Sequence, residues 1–397
     1  MPVSGERANA VEPRPAVKSG VARERPKLLY LVTEDWFFAT HFFPMVRAAR
    51  GAGFDVVVAT RVRDHAAQIE REGCRIIPFE NERKRIGPLE VLRTVARLIG
   101  LVRAERPDAV HCIALRMVVL GGLAARLAGA KTLVLAPTGL GHLWLADGAV
   151  ERAGRRIVPF VVGRLLRRKS THYLFENPDD AKELGIDPAG PDVTRIGAGV
   201  DPAAIPPTPE PPAPPVKVAV VARMLAQKGI VEAIAATRRA RALGAPVELH
   251  LFGAPDPGNP SSLTQEQLSQ WSREEGITWH GPTGDIAGVW REHHIALLLT
   301  YGEGGARALV EAAAGCRPIV TTNVSGCREI VRDGIEGFLV PVRESDEAAR
   351  ALARLAQDPQ LRAQMGRAAR LRFLERFTEE VLERTVGGLY NAIRDER

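Results

Sequence analysis

Two carboxylates and two cations in the second half of the chain have the types and spacing to hold a charged, hydroxyl-rich ligand. Glu303 and Glu311 stand eight apart in GEGGARALVE (302–311), around a glycine pair that opens a helix expected over 307–315. Arg223 and Lys228 lie in VARMLAQKG (221–229), after a strand-like run and just before another expected helix. Cations beside the free N–H groups of a helix N-terminus suit a diphosphate, which needs neutralisation and several donors. The plainer alternative makes both of them solvated surface charges. For the glutamates the plainer alternative is a first-turn partner of the helix dipole and an exposed helix residue, and an acid/base pair is a third. Ala308, Leu309, Val310 and Ala312 surround Glu311 with apolar neighbours, however, and a carboxylate so placed needs hydrogen-bond donors. Sugar and ribose hydroxyls would provide them, while Gly304 and Gly305 let backbone N–H groups come close to a ligand.

Such residues need elements to position them. KLLYLV (27–32), FDVVVAT (54–60), CRIIPF (74–79), DAVHCI (108–113), KTLVLA (131–136) and THYLFE (171–176) read as short buried strands. Helical stretches lie between them, such as 43–51 and 88–104, the latter with Leu89, Leu92, Val95 and Leu98 at three-to-four spacing. Continuous apolar strands alternating with amphipathic helices predict a parallel, doubly wound α/β sheet. The stretch PPTPEPPAPP (206–215) suits neither helix nor central strand and reads as a linker. The pattern then restarts, with strands expected at 216–222, 247–253, 277–281, 295–300, 317–322 and 337–341 and helices near 229–243, 264–275 and 307–315. The expected organisation is a disordered tail over 1–25, a Rossmann-like domain over 26–200, a linker over 201–215, a second Rossmann-like domain over 216–377, and a terminal helix over 378–397 returning to the first domain. Two such domains leave a cleft between the carboxyl ends of their sheets, where α/β folds place ligands.

Bulk properties narrow the function classes. A chain of 397 residues exceeds one ordinary core, and 45% hydrophobic with 25% charged residues describes a globular protein. Arg126 and Lys131 interrupt the longest apolar candidate before the ~18 residues a membrane span needs. The first 25 residues lack an apolar signal core, which points to the cytoplasm. Cys74, Cys112, Cys316 and Cys327 sit far apart, so neither disulfides nor structural zinc are expected. Residues 1–200 hold 31 Lys and Arg against 22 Asp and Glu, whereas 201–397 hold 23 against 25. The first half should therefore face an anionic partner, whether nucleic acid, an anionic membrane surface or a phosphorylated acceptor. Its basic excess gathers in ERKRIG (82–87) and ERAGRRIVPFVVGRLLRRKS (151–170), where arginines interleave with aliphatic residues and Phe160. The aromatic interleaving of a nucleic-acid binder is missing, so no nucleic-acid partner is expected. Neither G-x-G-x-x-G after a domain's first strand nor a P-loop motif occurs, which removes the main support for a dinucleotide oxidoreductase or an NTPase.

An E-x7-E pair preceded by an R-x4-K pair resembles the retaining glycosyltransferases of family 4, which have the GT-B fold. The resemblance runs from about residue 27 to the end and is carried also by EDWFFATHFFPMVRAARGAGFDV (34–56), TGLGHLW (138–144), FENPDD (175–180), GAGVD (197–201) and VSGCREIVRDGIEGFLVP (324–341). Within the family the chain is similar to the subgroup that adds N-acetylgalactosamine or a related hexose to a polyprenyl-diphosphate-linked sugar. The resemblance implies that Arg223 and Lys228 bind the donor diphosphate, that Glu303 holds sugar hydroxyls, and that Glu311 holds the ribose. It places the backbone of Gly304, Gly305, Ala306 and Arg307 at the donor phosphate and sugar, and His280, Gly281, Pro282 and Thr283 beside the nucleobase. Asp35, His41, Thr138, Gly139, Leu140, Gly141 and His142 would line the acceptor side.

The implied reaction is hexosyl transfer with retention from a UDP-linked sugar to a polyprenyl-diphosphate-linked saccharide, at the inner leaflet, in surface polysaccharide or glycan assembly. No metal or other cofactor is implied, and the leaving phosphate itself takes the acceptor proton. Three departures from the family pattern bear on the sugar: Gly305-Ala306 where a proline is usual, Asn323 and Ser325 where Asp and Pro are usual, and Pro137-Thr138-Gly139 where many relatives place a His. That histidine's role is either absent or moved to His142 or His41. A nucleotide-sugar 2-epimerase of the same architecture is the main alternative, followed by a synthase or phosphorylase with a soluble acceptor. His111 and the His293-His294 pair read as structural.

Overall fold

The structure, a computed structural model, describes residues 25–80, 87–146 and 148–396. The expected tail, up to residue 24, and nearly all of the basic stretch 82–87 lie outside the described residues. Lys27–Glu34 (β1), Asp55–Arg61 (β2), Arg75–Pro78 (β3), Ala109–Ile113 (β4), Thr132–Ala136 (β5), Thr171–Phe175 (β6) and Val193–Arg195 (β7) form one sheet in the order β3-β2-β1-β4-β5-β6-β7. Val216–Val221 (β8), Val247–Phe252 (β9), Ile277–Gly281 (β10), Ile295–Leu298 (β11), Ile319–Thr322 (β12) and Gly337–Val340 (β13) form a second, in the order β10-β9-β8-β11-β12-β13. The central pairings are parallel: Leu28–Leu31 lie opposite Val56–Ala59 on one side and Ala109–Cys112 on the other. In each sheet the winding reverses beside the first strand, at β1/β4 and at β8/β11, and the carboxyl ends there are where a cleft forms.

Burial explains the strand pattern. Leu28, Leu29, Tyr30 and Leu31 are all sealed from solvent because β1 is covered on both faces, so it reads as an unbroken apolar run. On one face Leu98 and Val102 of the helix Pro88–Glu105, Met117 and Val118 of the helix Leu115–Leu127, and Val162 and Leu166 pack together. On the other lie Met45 and Val46 of the helix Phe43–Gly51 and Val386 and Tyr390 of the last helix, Glu379–Asp395. That last helix leaves the second domain and docks on the first, where the Tyr390 hydroxyl meets the Tyr30 hydroxyl at 2.7 Å and His111 Nδ1 at 2.8 Å. Arg47 joins it through Glu379 and Glu383. His111 is thus a packed core residue, whose imidazole burial pushes down to about 3.

Two parts differ from expectation. The residues between β1 and the helix at 43, outside the expected helical stretches, form a helix of their own, Asp35–His41. The proline-rich connection is no free linker. Arg317, 1% exposed, donates to the Thr208 hydroxyl at 2.6 Å and to the Pro209 carbonyl at 3.0 Å, and Arg362, 2% exposed, pairs with Glu210 at 3.1 Å. His294 accepts from the Lys217 N–H through Nδ1, which leaves its Nε2–H to donate to the Pro211 carbonyl at 3.0 Å. Two buried guanidiniums strap this segment to the second domain, because such charges need fixed acceptors.

Candidate functional site

Two cavities of about 330 and 550 Å³ lie where the two sheets face each other, and both have Thr138, Arg223, Lys228, Glu303 and Gly304 in their walls. The first also takes Trp36, Phe37 and His41 from the first domain and Gly305–Ala308 from the second. The second takes Gly139, Leu140 and Gly141.

The chain brings Lys228 here through the short turn Ala226–Lys228 that follows β8. Gly229 ends that turn with φ 72°, and a Cβ there would fall 2.0 Å from the Leu299 carbonyl oxygen. Only glycine permits this close approach to the loop after β11. Lys228 Nζ consequently forms an ion pair with Glu303, the two side chains 18% and 13% exposed. Arg223 sits nearer the rim, 46% exposed, paired with Asp256 at 2.7 Å. On the helix Arg307–Ala314, Arg307 Nε meets Glu311 at 2.9 Å and its Nη1 donates to the Gly199 carbonyl at 3.0 Å. Burial raises the Glu311 carboxyl above its ordinary range, against the pull of Arg307. Each cleft cation therefore has a carboxylate partner fixed by the fold.

The domains touch at glycines. A Cβ on Gly304 would lie 2.6 Å from the Gly139 nitrogen, and Asn177 Nδ2 donates to the Gly304 carbonyl at 3.0 Å. His41 holds the Phe37 carbonyl at 3.1 Å, and burial beside Arg307 pushes its imidazole down to about 4, so it is neutral at neutral pH. His142 opens the short helix His142–Leu145, but its side chain lies outside the described residues.

Several expected residues stand elsewhere. Asp35 does not line either cavity: it is fully buried, and its carboxylate accepts the N–H groups of Trp36 at 2.7 Å, Arg63 at 2.6 Å and His65 at 3.1 Å. Burial opposes its ionisation, but these three bonds outweigh it and hold the carboxyl below its ordinary value. Asp35→Ala is expected to cost roughly 3 kcal/mol in urea unfolding, because three backbone donors lose a charged acceptor. Since the folded pKa is the lower one, Asp35 stabilises above about pH 4 and the effect fades as pH falls through the folded value. Loss of ligand binding at unchanged stability would return Asp35 to the site. His280, Gly281, Pro282 and Thr283 also line neither cavity. The His280 ring instead stacks on Phe252 and His250, with centroids 4.6 and 5.1 Å away.

Glu176, Trp36 and Phe37 line the first cavity, and Asn177 holds the Gly304 carbonyl beside it, without having been expected there. For Glu176 the signal was present, since a lone carboxylate ending the apolar run of β6 is placed as Glu303 is after β11.

Residues 27–153 match the family described as Glycosyl transferase 4-like, and residues 204–372 that described as Glycosyl transferases group 1. The chain is a family 4-like glycosyltransferase with the GT-B fold. Capsular polysaccharide biosynthesis glycosyltransferase CapM of Staphylococcus aureus is 24% identical over 176 residues, 44% of this chain and 46% of CapM, so the chain matches about half the length of that relative. Among solved structures, Anabaena HepE in complex with UDP and glucose superposes with a TM-score of 0.70 at 17% identity, over 92% of this chain and 99% of HepE. Sucrose-phosphate synthase from Thermosynechococcus elongatus gives 0.75 at 18% identity, over 94% and 100%. In this glycosyltransferase, Arg223, Lys228 and the start of the helix at Arg307 converge on one cleft. That arrangement places fixed positive charge where negative charge could develop on a departing group.

Proposed function

We propose that this glycosyltransferase moves a hexosyl group, with retention, from a UDP-linked sugar to a polyprenyl-diphosphate-linked saccharide. The observation that carries this reading is the Lys228–Glu303 pair set against the backbone of Gly304–Arg307, with Arg223 in the same wall. Lys228, Arg223 and the backbone N–H groups before the helix stabilise the charge on the leaving diphosphate, without a metal. Glu303 holds sugar hydroxyls, Glu311 with Arg307 the ribose, and His41 with the loop Thr138–Gly141 the acceptor side. The capsular role in the name of CapM and the UDP-glucose bound by HepE support the donor class and the polysaccharide context.

A thermal-shift panel of nucleotide sugars tests the donor, since a ligand at about 100 times its dissociation constant adds roughly 2.7 kcal/mol. Turnover of the stabilising donor only when a polyprenyl-diphosphate sugar is present would support transfer. An epimer formed without any acceptor would make the protein a 2-epimerase instead.

The acceptor class is supported by the segment Ala149–Leu165, a helix continued by a π-helical turn. Val150, Ile157, Phe160 and Leu165 are exposed there, among the exposed Arg152, Arg156 and Arg164. No helix among the described residues is long and apolar enough to cross a membrane. Surface attachment is expected instead, with about 1 kcal/mol per cation near an anionic leaflet. The chain should float with phosphatidylserine-containing vesicles at low salt and be released by high salt. Failure to bind at low salt would count against the lipid-linked acceptor.

A further inference from the structure

Glu176 is the one carboxyl group of the first cavity to which the mechanism gives no task. It follows the last residue of β6, on the first-domain wall, and faces the loop after β11 across the cleft. A Cβ on Gly305 would lie 2.9 Å from its carboxyl carbon and 3.0 and 3.1 Å from its oxygens, so the glycine leaves the space that the carboxyl occupies. Gly305 is also one of the positions at which the chain departs from the family pattern.

The charges around Glu176 are already committed. Lys228 is paired with Glu303, and Arg307 with Glu311. In the smaller cavity behind Glu176, Arg195 and Arg376 both hold Glu329, near Glu375. On the next helix Asp179 is held by Arg328 and Lys182, leaving Asp180 and Glu183 as further negative charges. His41 is neutral. Among the described residues no cation forms an ion pair with Glu176. Burial pushes its carboxyl up to about 7, and the charges of Asp180 and Glu303 act in the same direction.

We propose that Glu176 works as a neutral carboxylic acid, donating a hydrogen bond to the diphosphate of the bound donor. The proposal rests on the nucleotide-sugar reading. A diphosphate seated on the Gly304–Arg307 backbone lies beside this side chain, and an ionised Glu176 would repel it where a protonated one adds a donor, as carboxyls kept neutral by burial in other active sites do. The sign of the linkage follows. An arriving anion favours the neutral form, so Glu176 takes up a proton on binding, and affinity weakens above about pH 7 by up to tenfold per pH unit.

Calorimetry of UDP-glucose binding to the full chain, near pH 7.5 in two buffers of different ionisation enthalpy, measures that proton directly. UDP-glucose carries no phosphate that titrates in this range. The expected result is uptake of about half to three quarters of a proton per site, the share of Glu176 that is ionised at that pH before the donor binds. Glu176→Gln keeps the size and an N–H donor but cannot titrate, so its binding should take up no proton and show a flat pH profile. Binding without proton uptake, or uptake unchanged in Glu176→Gln, would overturn this proposal alone. Absence of any binding heat or thermal shift would overturn the donor reading, and this proposal with it.

Discussion

Lys228→Ala is expected to lower kcat by about 10²–10³-fold, the range for removing one preorganised charge stabiliser. The argument starts from where the side chain is held. The turn Ala226–Lys228 and the left-handed Gly229 fix its backbone, and Glu303 fixes its tip, so the ammonium needs no reorganisation when charge builds on a leaving diphosphate. An interaction felt mainly in the transition state lowers kcat and kcat/KM together and leaves KM nearly unchanged. Arg223 makes the contrast. It is 46% exposed and held by Asp256 at the rim, where solvent screens its charge, so Arg223→Ala should cost less than Lys228→Ala and act more on KM. Steady-state kinetics with a saturating acceptor would decide, with circular dichroism to confirm folding. A folded Lys228→Ala enzyme within threefold of the parent would remove the lysine from the chemistry.

The ranking of these two cations was not legible in the sequence, where they stand five residues apart as equals. What separates them is long-range: Glu303 lies 75 residues from Lys228, and Asp256 33 from Arg223. The sheets were legible for the opposite reason, since two-sided burial writes itself into contiguous runs such as KLLYLV and VKVAVV. Asp35 misled because a buried carboxylate in a loop-like stretch has the same local pattern whether it serves a ligand or three backbone N–H groups. The proline-rich strap misled likewise: its composition speaks of a linker, while the arginines that fasten it, Arg317 and Arg362, come more than 100 residues later. Glu303 stands out in the sequence because glycines mark its loop, whereas Glu176 has only its place at a strand end.

Gly304→Ala should have the second large effect, a fall of about 10²-fold in kcat/KM, the scale on which a misplacement near 1 Å acts. The new methyl group would meet the Gly139 nitrogen at 2.6 Å, its Cα at 2.7 Å and the Thr138 carbonyl carbon at 2.9 Å. All three are backbone atoms of the first domain, and Gly139 itself has φ 94°, so neither loop can turn a side chain away to make room. Relief must come from moving one loop off the other, which stretches the Asn177–Gly304 hydrogen bond and widens the cleft that both domains line. Lys228, Arg223 and Arg307 all belong to the second domain, so donor affinity should change only a few-fold while transfer suffers. Gly302→Ala is the matched control. Its nearest neighbours would be the Leu145 side chain, with one methyl at 3.0 Å and the other at 3.7 Å, the end of a flexible side chain, so activity should stay within a few-fold of the parent. Parent-like kcat/KM in Gly304→Ala would mean that the glycine contact between the two loops does not set the geometry of transfer. Equal losses in the two variants would point to the loop after β11 itself and away from its meeting with Gly139.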